Sequence, residues 1–110
     1  MMLLTQKIKK AFEKQSWRST AENEAKDTKV ICKFFGGSRW TWYVVEWDGE
    51  DTFYGYVISG LGADCDELGY FSLSELQNAK FPPFGLGTER DYRFPIGKYT
   101  LQEIMDKKSL

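Results

Sequence analysis

Histidine is absent from this chain of 110 residues, and cysteine occurs only twice. Without histidine, neither a His-activated serine or cysteine nucleophile nor a zinc site of the Cys/His kind can form. The side chain that most often acts as a general base at neutral pH is missing as well. We therefore expect a non-enzymatic protein with no catalytic residue, no metal and no cofactor, while paired carboxylates leave one route to an enzyme open.

Long apolar runs are also absent. No stretch approaches the roughly 20 residues that span a bilayer. The opening MMLL is followed at once by the polar TQKIKKAFEK, which does not fit a secretory signal. These features predict a cytoplasmic protein with reduced cysteines and no membrane partner. The length favours a single domain over residues 1–110.

Positive charge is missing from one long segment. Residues 40–79 contain no lysine or arginine and eight acidic residues, whereas residues 1–39 contain nine basic and four acidic residues. The net charge of −1 hides this segregation, which bears on the partners that the protein attracts. The eight acidic residues are Glu46, Asp48, Glu50, Asp51, Asp64, Asp66, Glu67 and Glu75.

The pattern of apolar and turn-forming residues predicts three helices and five strands. Apolar residues at helical spacing predict a helix over residues 5–15 that is capped by Thr5. Capping-box spacing predicts two more short helices, which begin after Ser72 and Thr100. The predicted strands lie at about residues 29–37, 39–47, 52–59, 67–71 and 90–94. This order predicts an α+β fold, a single antiparallel sheet of about five strands that the helices cover on one face.

The segment WTWYVVEWDGEDTFYGYV, residues 40–57, crowds seven aromatic residues into a predicted β-hairpin. With a turn at residues 48–51, Trp47 lies opposite Thr52, and alternation gives the hairpin two faces. Gly55 is predicted to leave room for a neighbouring indole. The predicted core face carries Trp40, Trp42, Val44, Glu46, Phe53, Gly55, Val57 and Ser59. The predicted solvent face carries Thr41, Tyr43, Val45, Trp47, Thr52, Tyr54, Tyr56 and Ile58.

The predicted solvent face and the acidic turn beside it form the candidate protein-binding site, because tyrosine and tryptophan dominate interface hot spots. The alternative is that the rings only stabilise the hairpin, at up to about 1 kcal/mol for each cross-strand pair. Such an anionic aromatic surface fits a partner with a basic surface, or a second copy of the chain. The candidate residues are Tyr43, Trp47, Asp48, Glu50, Asp51, Tyr54 and Tyr56.

A second cluster combines both signs of charge. Glu46 is the only charged residue on the predicted core face, and a buried carboxylate needs a partner. The run Glu89, Arg90, Asp91 precedes the last predicted strand, and a Glu46–Arg90 pair would satisfy both side chains. Whether this cluster is a structural clamp or a functional site stays open.

The basic N-terminal segment is the alternative binding site. Lys7, Lys10 and Lys14 lie on one side of the predicted helix and Arg18 follows it, and such cations can contact phosphate. A basic helix face is more often simply solvated. The aromatic face is a poorer candidate for nucleic acid, because its segment carries only anions.

Four motifs resemble, in their order and spacing, a family of small bacterial proteins known only as a domain of unknown function: KFF, WTWYVVEWDGEDTFYGYV, ELGYFSLSEL and ERDYRF. The resemblance covers about residues 3–12 and 30–104. It implies a mobile genetic element, such as a plasmid or phage, often near antirestriction and DNA-processing genes, and it implies no established activity. Residues 13–29 and Gly87, where a proline would be expected, depart from the family pattern.

Together these features predict a protein-interaction module of a mobile genetic element, whose acidic aromatic surface docks a basic partner. Anionic groups compete with nucleic acid for the cations that contact phosphate, so an anti-defence or DNA-mimic role fits. The alternative is a nucleic-acid-binding accessory protein that uses the basic N-terminal segment.

Overall fold

One antiparallel sheet with helices on both faces makes up the fold. The computed structural model describes residues 3–37, 39–60, 62, 66–81, 85–107 and 110. The elements are α1 (Gln6–Lys14), a 3-10 helix (Ala25–Asp27), β1 (Cys32–Gly36), β2 (Trp40–Trp47), β3 (Thr52–Ile58), β4 (Glu67–Ser72), α2 (Leu73–Asn78), β5 (Glu89–Arg90) and α3 (Leu101–Lys107). The sheet has the strand order β4-β3-β2-β1-β5, which confirms the predicted α+β class.

Each α-helix begins at the side-chain cap that the sequence predicts. Thr5 Oγ1 and Ser72 Oγ each accept a hydrogen bond of 3.2 Å from an amide in the first turn of α1 and α2. At α3, Thr100 Oγ1 accepts from the amide of Glu103, and Glu103 Oε1 accepts from the amide of Thr100. This reciprocal pair is a complete capping box. None of the described helices is long and apolar enough to cross a bilayer.

The helices cover both faces of the sheet, not one face as predicted. Leu4, Ile8 and Phe12 of the N-terminal segment pack with Leu76 of α2 on the face that carries Phe34. We call this side the α1 face. The opposite side, the α3 face, is covered by α3. A sheet with two apolar faces buries both only if helices lie on each side.

The tyrosine face of the hairpin is therefore a core, and the prediction that it meets solvent is wrong. Tyr43 is 1% exposed and Tyr56 is 5% exposed. Both belong to the cluster that Leu101 and Ile104 of α3 complete. The physical reason is that α3 carries an apolar stripe that needs a partner, and a tyrosine ring offers as much apolar area as a phenylalanine.

Away from the turn, the hairpin has the predicted register, in which Val44 lies opposite Gly55. A Cβ atom on Gly55 would clash with the carbonyl oxygen of Tyr43 and lie 3.0 Å from the Cα of Val44. The glycine is required because the backbone of β2 approaches it closely. It does not serve to leave room for an indole, as predicted.

A β-bulge at Val45 changes the register near the turn. Trp47 pairs with Phe53 and Glu46 pairs with Tyr54, one residue away from the predicted pairing. One inserted residue moves the side chains that follow it to the opposite faces of the sheet. Trp47, predicted to meet solvent, therefore packs on the α1 face, and Glu46, predicted on that face, lies on the α3 face.

The last strand is shorter than predicted. β5 contains only two residues and pairs with β1, with Arg90 opposite Phe34. The chain then turns, because the amide of Phe94 donates to the carbonyl of Asp91 at 3.1 Å and Asp91 Oδ1 accepts from the amide of Arg93 at 3.0 Å. An aspartate that binds the backbone two residues on favours a turn over a strand.

Candidate functional site

The seven predicted protein-binding residues do not share one surface. Tyr43 and Tyr56 are buried beneath α3. Trp47 packs on Phe12 and Phe53 in the α1-face core, at ring-centroid distances of 6.1 and 6.4 Å. The residues of the acidic turn are exposed at the end of the hairpin. Of the predicted tyrosines, Tyr54 lines an open cavity.

Asp48 of the acidic turn accepts hydrogen bonds within the hairpin turn, and Asp51 accepts them from the start of α2. Asp48 Oδ1 accepts from two amides of its own turn at 2.8 and 3.1 Å; slight burial raises the pKa of Asp48, but these bonds outweigh it and lower the pKa below its ordinary value. Asp51 accepts from Ser72 Oγ at 2.7 Å and from the amide of Ser74 at 2.8 Å, and these bonds lower its pKa. Glu67 lies at the other end of β4 from Ser72. The described carboxylates of residues 40–79 therefore do not form one patch, and Asp64 lies outside the described residues.

Glu46 is buried and is held by backbone amides rather than by Arg90. Glu46 Oε1 accepts from the amide of Arg18 at 2.8 Å, and Oε2 accepts from the amide of Thr20 at 2.9 Å and from the Thr20 hydroxyl. The predicted Glu46–Arg90 pair is wrong, because β1 separates the two residues and Arg90 lies opposite Phe34 on the other face. No lysine or arginine of the described residues forms a salt bridge with Glu46.

The loop that holds Glu46 also forms the wall of a cavity. We call this cavity of about 300 Å³ the Glu46 pocket. The backbone of Arg18 has a φ of 67°, a left-handed conformation that is uncommon for residues other than glycine. In this conformation the amide of Arg18 donates to the Glu46 carboxylate. The residues that line the pocket include Arg18, Thr20, Glu46, Tyr54, Leu68 and Tyr70.

Aromatic rings cluster at the Glu46 pocket, whose lining includes Tyr54 and Tyr70. The rings of Tyr54 and Tyr70 lie 5.2 Å apart, and the ring of Trp17 lies 5.9 Å from that of Tyr70. Burial raises the pKa of Tyr54, and Tyr70 and Glu46 add to the rise. The pocket thus combines a carboxylate in a nearly dry environment with ring faces, which attract a cation.

The other side of β4 borders a second groove. We call it the Trp40 groove, a cavity of about 390 Å³ whose walls include Trp40, Trp42, Glu67 and Phe71. The indoles of Trp40 and Trp42 are stacked at 5.8 Å. Trp40, predicted in the core, is 37% exposed. An acidic side chain and an exposed ring therefore occur on this side of β4 as well.

Strand β4 itself is an edge strand. It pairs with β3 on one side, and no strand in the described part of the chain pairs with its other side. Its Leu68 is 39% exposed and its Tyr70 is 64% exposed. Edge strands with large exposed apolar side chains are sites where another chain can add a strand.

The remaining predicted site residues lie at the far edge of the sheet or on α1. Asp91 forms a salt bridge of 3.7 Å with Lys33, whose Nζ lies 5.5 Å from the centre of the Tyr43 ring. Burial and then the charge of Asp91 raise the pKa of Tyr43 to about 12. Glu89 is exposed. Burial raises the pKa of the Cys32 thiol far above its ordinary value, against a smaller lowering by the charge of Arg90.

The basic N-terminal residues are split between two places. Lys7, Lys10 and Lys14 are exposed on α1. Arg18 follows α1 and lines the Glu46 pocket on the opposite face. Phosphate binding by these four residues stays a prediction. Within the described residues, no group of three or more Cys, Asp or Glu side chains could hold a metal ion.

A family model described as protein of unknown function DUF2958 matches residues 3–107. The chain belongs to this DUF2958 family. Membership agrees with the resemblance to a domain of unknown function, and it brings no activity with it. No curated protein and no solved structure matches the chain.

Sequence reasoning missed most of this site. Trp17 lies outside the predicted helices and strands, and Leu68 and Tyr70 lie in a strand whose neighbours were not predicted. The edge position of β4 follows from the strand order, which local patterns do not determine. The available signal was the alternation in ELGYFS, where Leu68 and Tyr70 point to the same face.

Proposed function

We propose that this chain is a non-enzymatic protein-interaction module that binds an extended, basic segment of a partner protein along β4. The observation that carries the proposal is the Glu46 pocket, an aromatic-lined cavity with a buried carboxylate that opens beside the edge strand. This keeps the predicted class of partner and moves its binding surface from the hairpin face to the sheet edge.

An added strand would place its side chains alternately on the two sides of β4. Side chains on a strand alternate between faces, so one set would enter the Glu46 pocket and the other the Trp40 groove. Main-chain hydrogen bonds to the open edge supply affinity, and the two cavities supply specificity. Each cavity holds a carboxylate, that of Glu46 or that of Glu67.

Lysine or arginine is the side chain that the Glu46 pocket fits best. A cation over a tyrosine or tryptophan ring gains about 0.5–2 kcal/mol, more as the site becomes drier. Glu46 supplies the opposite charge, and its three hydrogen bonds hold it in place before the ligand arrives. Preorganisation of this kind lowers the entropy lost on binding.

The resemblance to the family of unknown function implies a mobile genetic element, and this supports the proposed class of partner. In a mobile genetic element, a host defence or DNA-handling protein with a basic, extended segment is a fitting target, and occupying that segment is an anti-defence role. A DNA-mimic role has less support, because the acidic turn and Glu67 lie at opposite ends of β4 and Glu46 is buried.

The test measures binding of a fluorescent ten-residue peptide of alternating lysine and threonine. We expect saturable binding, and loss of binding when alternate peptide amides are N-methylated, which keeps the charge and removes main-chain donors. Replacement of lysine by glutamate should abolish binding. Equal binding of the methylated peptide would show charge attraction without strand addition and would contradict the proposal.

Matched tyrosine variants locate the site. Tyr70→Ser should weaken peptide binding by about twofold to thirtyfold, the range that a cation–ring contact is worth. Tyr92→Ser removes an equally exposed ring at the other edge of the sheet and should leave the affinity unchanged. A dimer that forms through β4 and excludes the peptide would instead identify a second copy of the chain as the occupant.

A further inference from the structure

The turn after β5 presents an exposed tyrosine on a fixed backbone. Tyr92 is 71% exposed, yet the residues around it are anchored. The amide of Asp91 donates to the carbonyl of Lys33 at 3.0 Å, the Asp91 carboxylate accepts from the amide of Arg93, and the Phe94 ring is buried. A large ring on a rigid turn is poised for contact with another molecule, because ordering it costs little entropy.

A cavity lies on each side of this turn. One, of about 370 Å³, is lined by Phe35 and Glu89 together with the four residues from Arg90 to Arg93. The other, of about 450 Å³, shares those four residues and extends to Lys7 of α1. The turn is thus a ridge between two cavities, each large enough for one nucleotide by the usual range of about 300–1,000 Å³ for small-ligand sites.

The residues that line the two cavities carry one more positive than negative charge, and Lys7 supplies its charge from the side of α1. Lys7, Arg90 and Arg93 line the two cavities with Glu89 and Asp91. The carboxylate of Asp91 already faces Lys33 at 3.7 Å and accepts a hydrogen bond within its own turn. The guanidinium of Arg93 lies over the ring of Tyr92, 5.5 Å from its centre, so one face of this exposed ring carries a cation.

We propose that this surface, formed by Lys7, Arg90, Tyr92 and Arg93, binds single-stranded nucleic acid. One base would stack on the exposed Tyr92 ring, and the phosphates on either side would contact the cations of the two cavities. Proteins that bind single strands pair aromatic platforms with positive grooves in this way. A duplex is a poorer fit, since its bases are stacked on each other and offer no open face to Tyr92.

This site is independent of the proposed peptide site. The sheet order places β5 and β4 at opposite edges, and none of the residues that line the Glu46 pocket lines the two cavities of the turn. The proposed site also differs from the basic N-terminal segment that the sequence predicts to bind phosphate, because Lys10 and Lys14 line neither cavity. A failure of one proposal therefore does not imply a failure of the other.

The test is fluorescence anisotropy with a labelled 15-nucleotide thymidine strand and its uridine counterpart, from 50 to 200 mM salt. We expect saturable binding of single strands, at least fivefold weaker binding of a duplex of the same length, and falling affinity with rising salt. Tyr92→Ala should weaken binding by about fivefold to a hundredfold. Arg93→Ala should weaken binding and reduce the salt slope by about one.

Matched controls make each outcome decisive. Lys14→Ala removes the same charge outside the cavities and should change the affinity less than twofold. Tyr70→Ser should weaken binding of the lysine–threonine peptide and leave the affinity for the oligonucleotide unchanged. The proposal is overturned by absence of binding at 50 mM salt, by equal effects of Lys14→Ala and Arg93→Ala, or by binding that Tyr92→Ala leaves intact. A poly-glutamate peptide that binds as tightly as the oligonucleotide would assign the surface to an acidic protein instead.

Discussion

At the scale of single residues, Glu46 connects the fold to the proposed function. Its carboxylate fixes the loop after α1 through the amides of Arg18 and Thr20, and the same loop forms one wall of the pocket. Backbone donors leave no trace in the pattern of charged side chains. The sequence predicts that Glu46 needs a buried partner, and it points to the wrong one.

We expect Glu46→Gln to lower the free energy of unfolding by about 1–3 kcal/mol, because an amide group would face donors that need acceptors. Urea denaturation at pH 7 measures the change. Glu22→Gln alters an exposed carboxylate of the same loop and should stay within about 0.5 kcal/mol of the unmodified protein. Equal losses for both variants would mean that the Glu46 hydrogen bonds contribute nothing specific.

Burial of Tyr43 makes the stability of the fold depend on pH. Its pKa of about 12 in the folded protein lies above the value of about 10 for an unfolded chain. The protonated phenol therefore stabilises the fold fully below about pH 10. This contribution is lost as the pH rises toward the folded value. We expect unfolding free energy to fall between about pH 10 and 12, by at most about 1.4 kcal/mol per pH unit from this group.

Urea denaturation of the unmodified protein and of Tyr43→Phe, each at pH 9 and at pH 11, isolates the contribution of the Tyr43 hydroxyl. Tyr43→Phe keeps the ring in the α3-face core and removes the hydroxyl, so it should lose less stability over the same interval. Cys32 is present in both proteins, and its own titration cancels in the difference. Identical losses in the two proteins would place Tyr43 in contact with solvent, against its 1% exposure.

At the scale of elements, the bulge in β2 explains both the correct and the incorrect parts of the predicted hairpin. Helix caps are local: those of α2 and α3 were predicted from pairs of residues three apart, and Thr5 was predicted from its place before the apolar helical pattern. The bulge is not local in this sense, since Val45 is as suited to a regular strand as its neighbours. It exchanges the faces of Glu46 and Trp47, and no residue type in the segment marks it.

The close approach of β2 to Gly55 of β3, beside the bulge, can be tested by adding one methyl group at Gly55. Gly55→Ala should destabilise the protein by about 3 kcal/mol or more, because the new Cβ would clash with the backbone of β2. Gly69 pairs with Gly55 across β3 and β4, and a Cβ there would meet nothing within 4 Å. Gly69→Ala should therefore change stability by less than about 1 kcal/mol. Similar losses for both would refute the close approach.

At the scale of the whole molecule, the charge segregation along the chain becomes a difference between the two edges of the sheet. The central segment without cations forms β2, β3, β4 and α2, and the flanking segments supply α1, β1 and β5. The carboxylates of Glu46 and Glu67 accordingly border β4, and Arg90 and Arg93 border the opposite edge. The sequence shows the segregation, and only the strand order shows where each part lies.

Because helices cover both faces of the sheet, its edges are where a partner can reach the strands, and β4 is an edge strand that itself carries exposed apolar side chains, Leu68 and Tyr70. The most direct test of this account is amide hydrogen exchange of residues 67–72 with and without the lysine–threonine peptide. We predict that alternate amides of β4 exchange quickly in the protein alone and become protected at least tenfold when the peptide is bound. Unchanged exchange along β4 at saturating peptide, or protection confined to α1 or β5, would contradict the account.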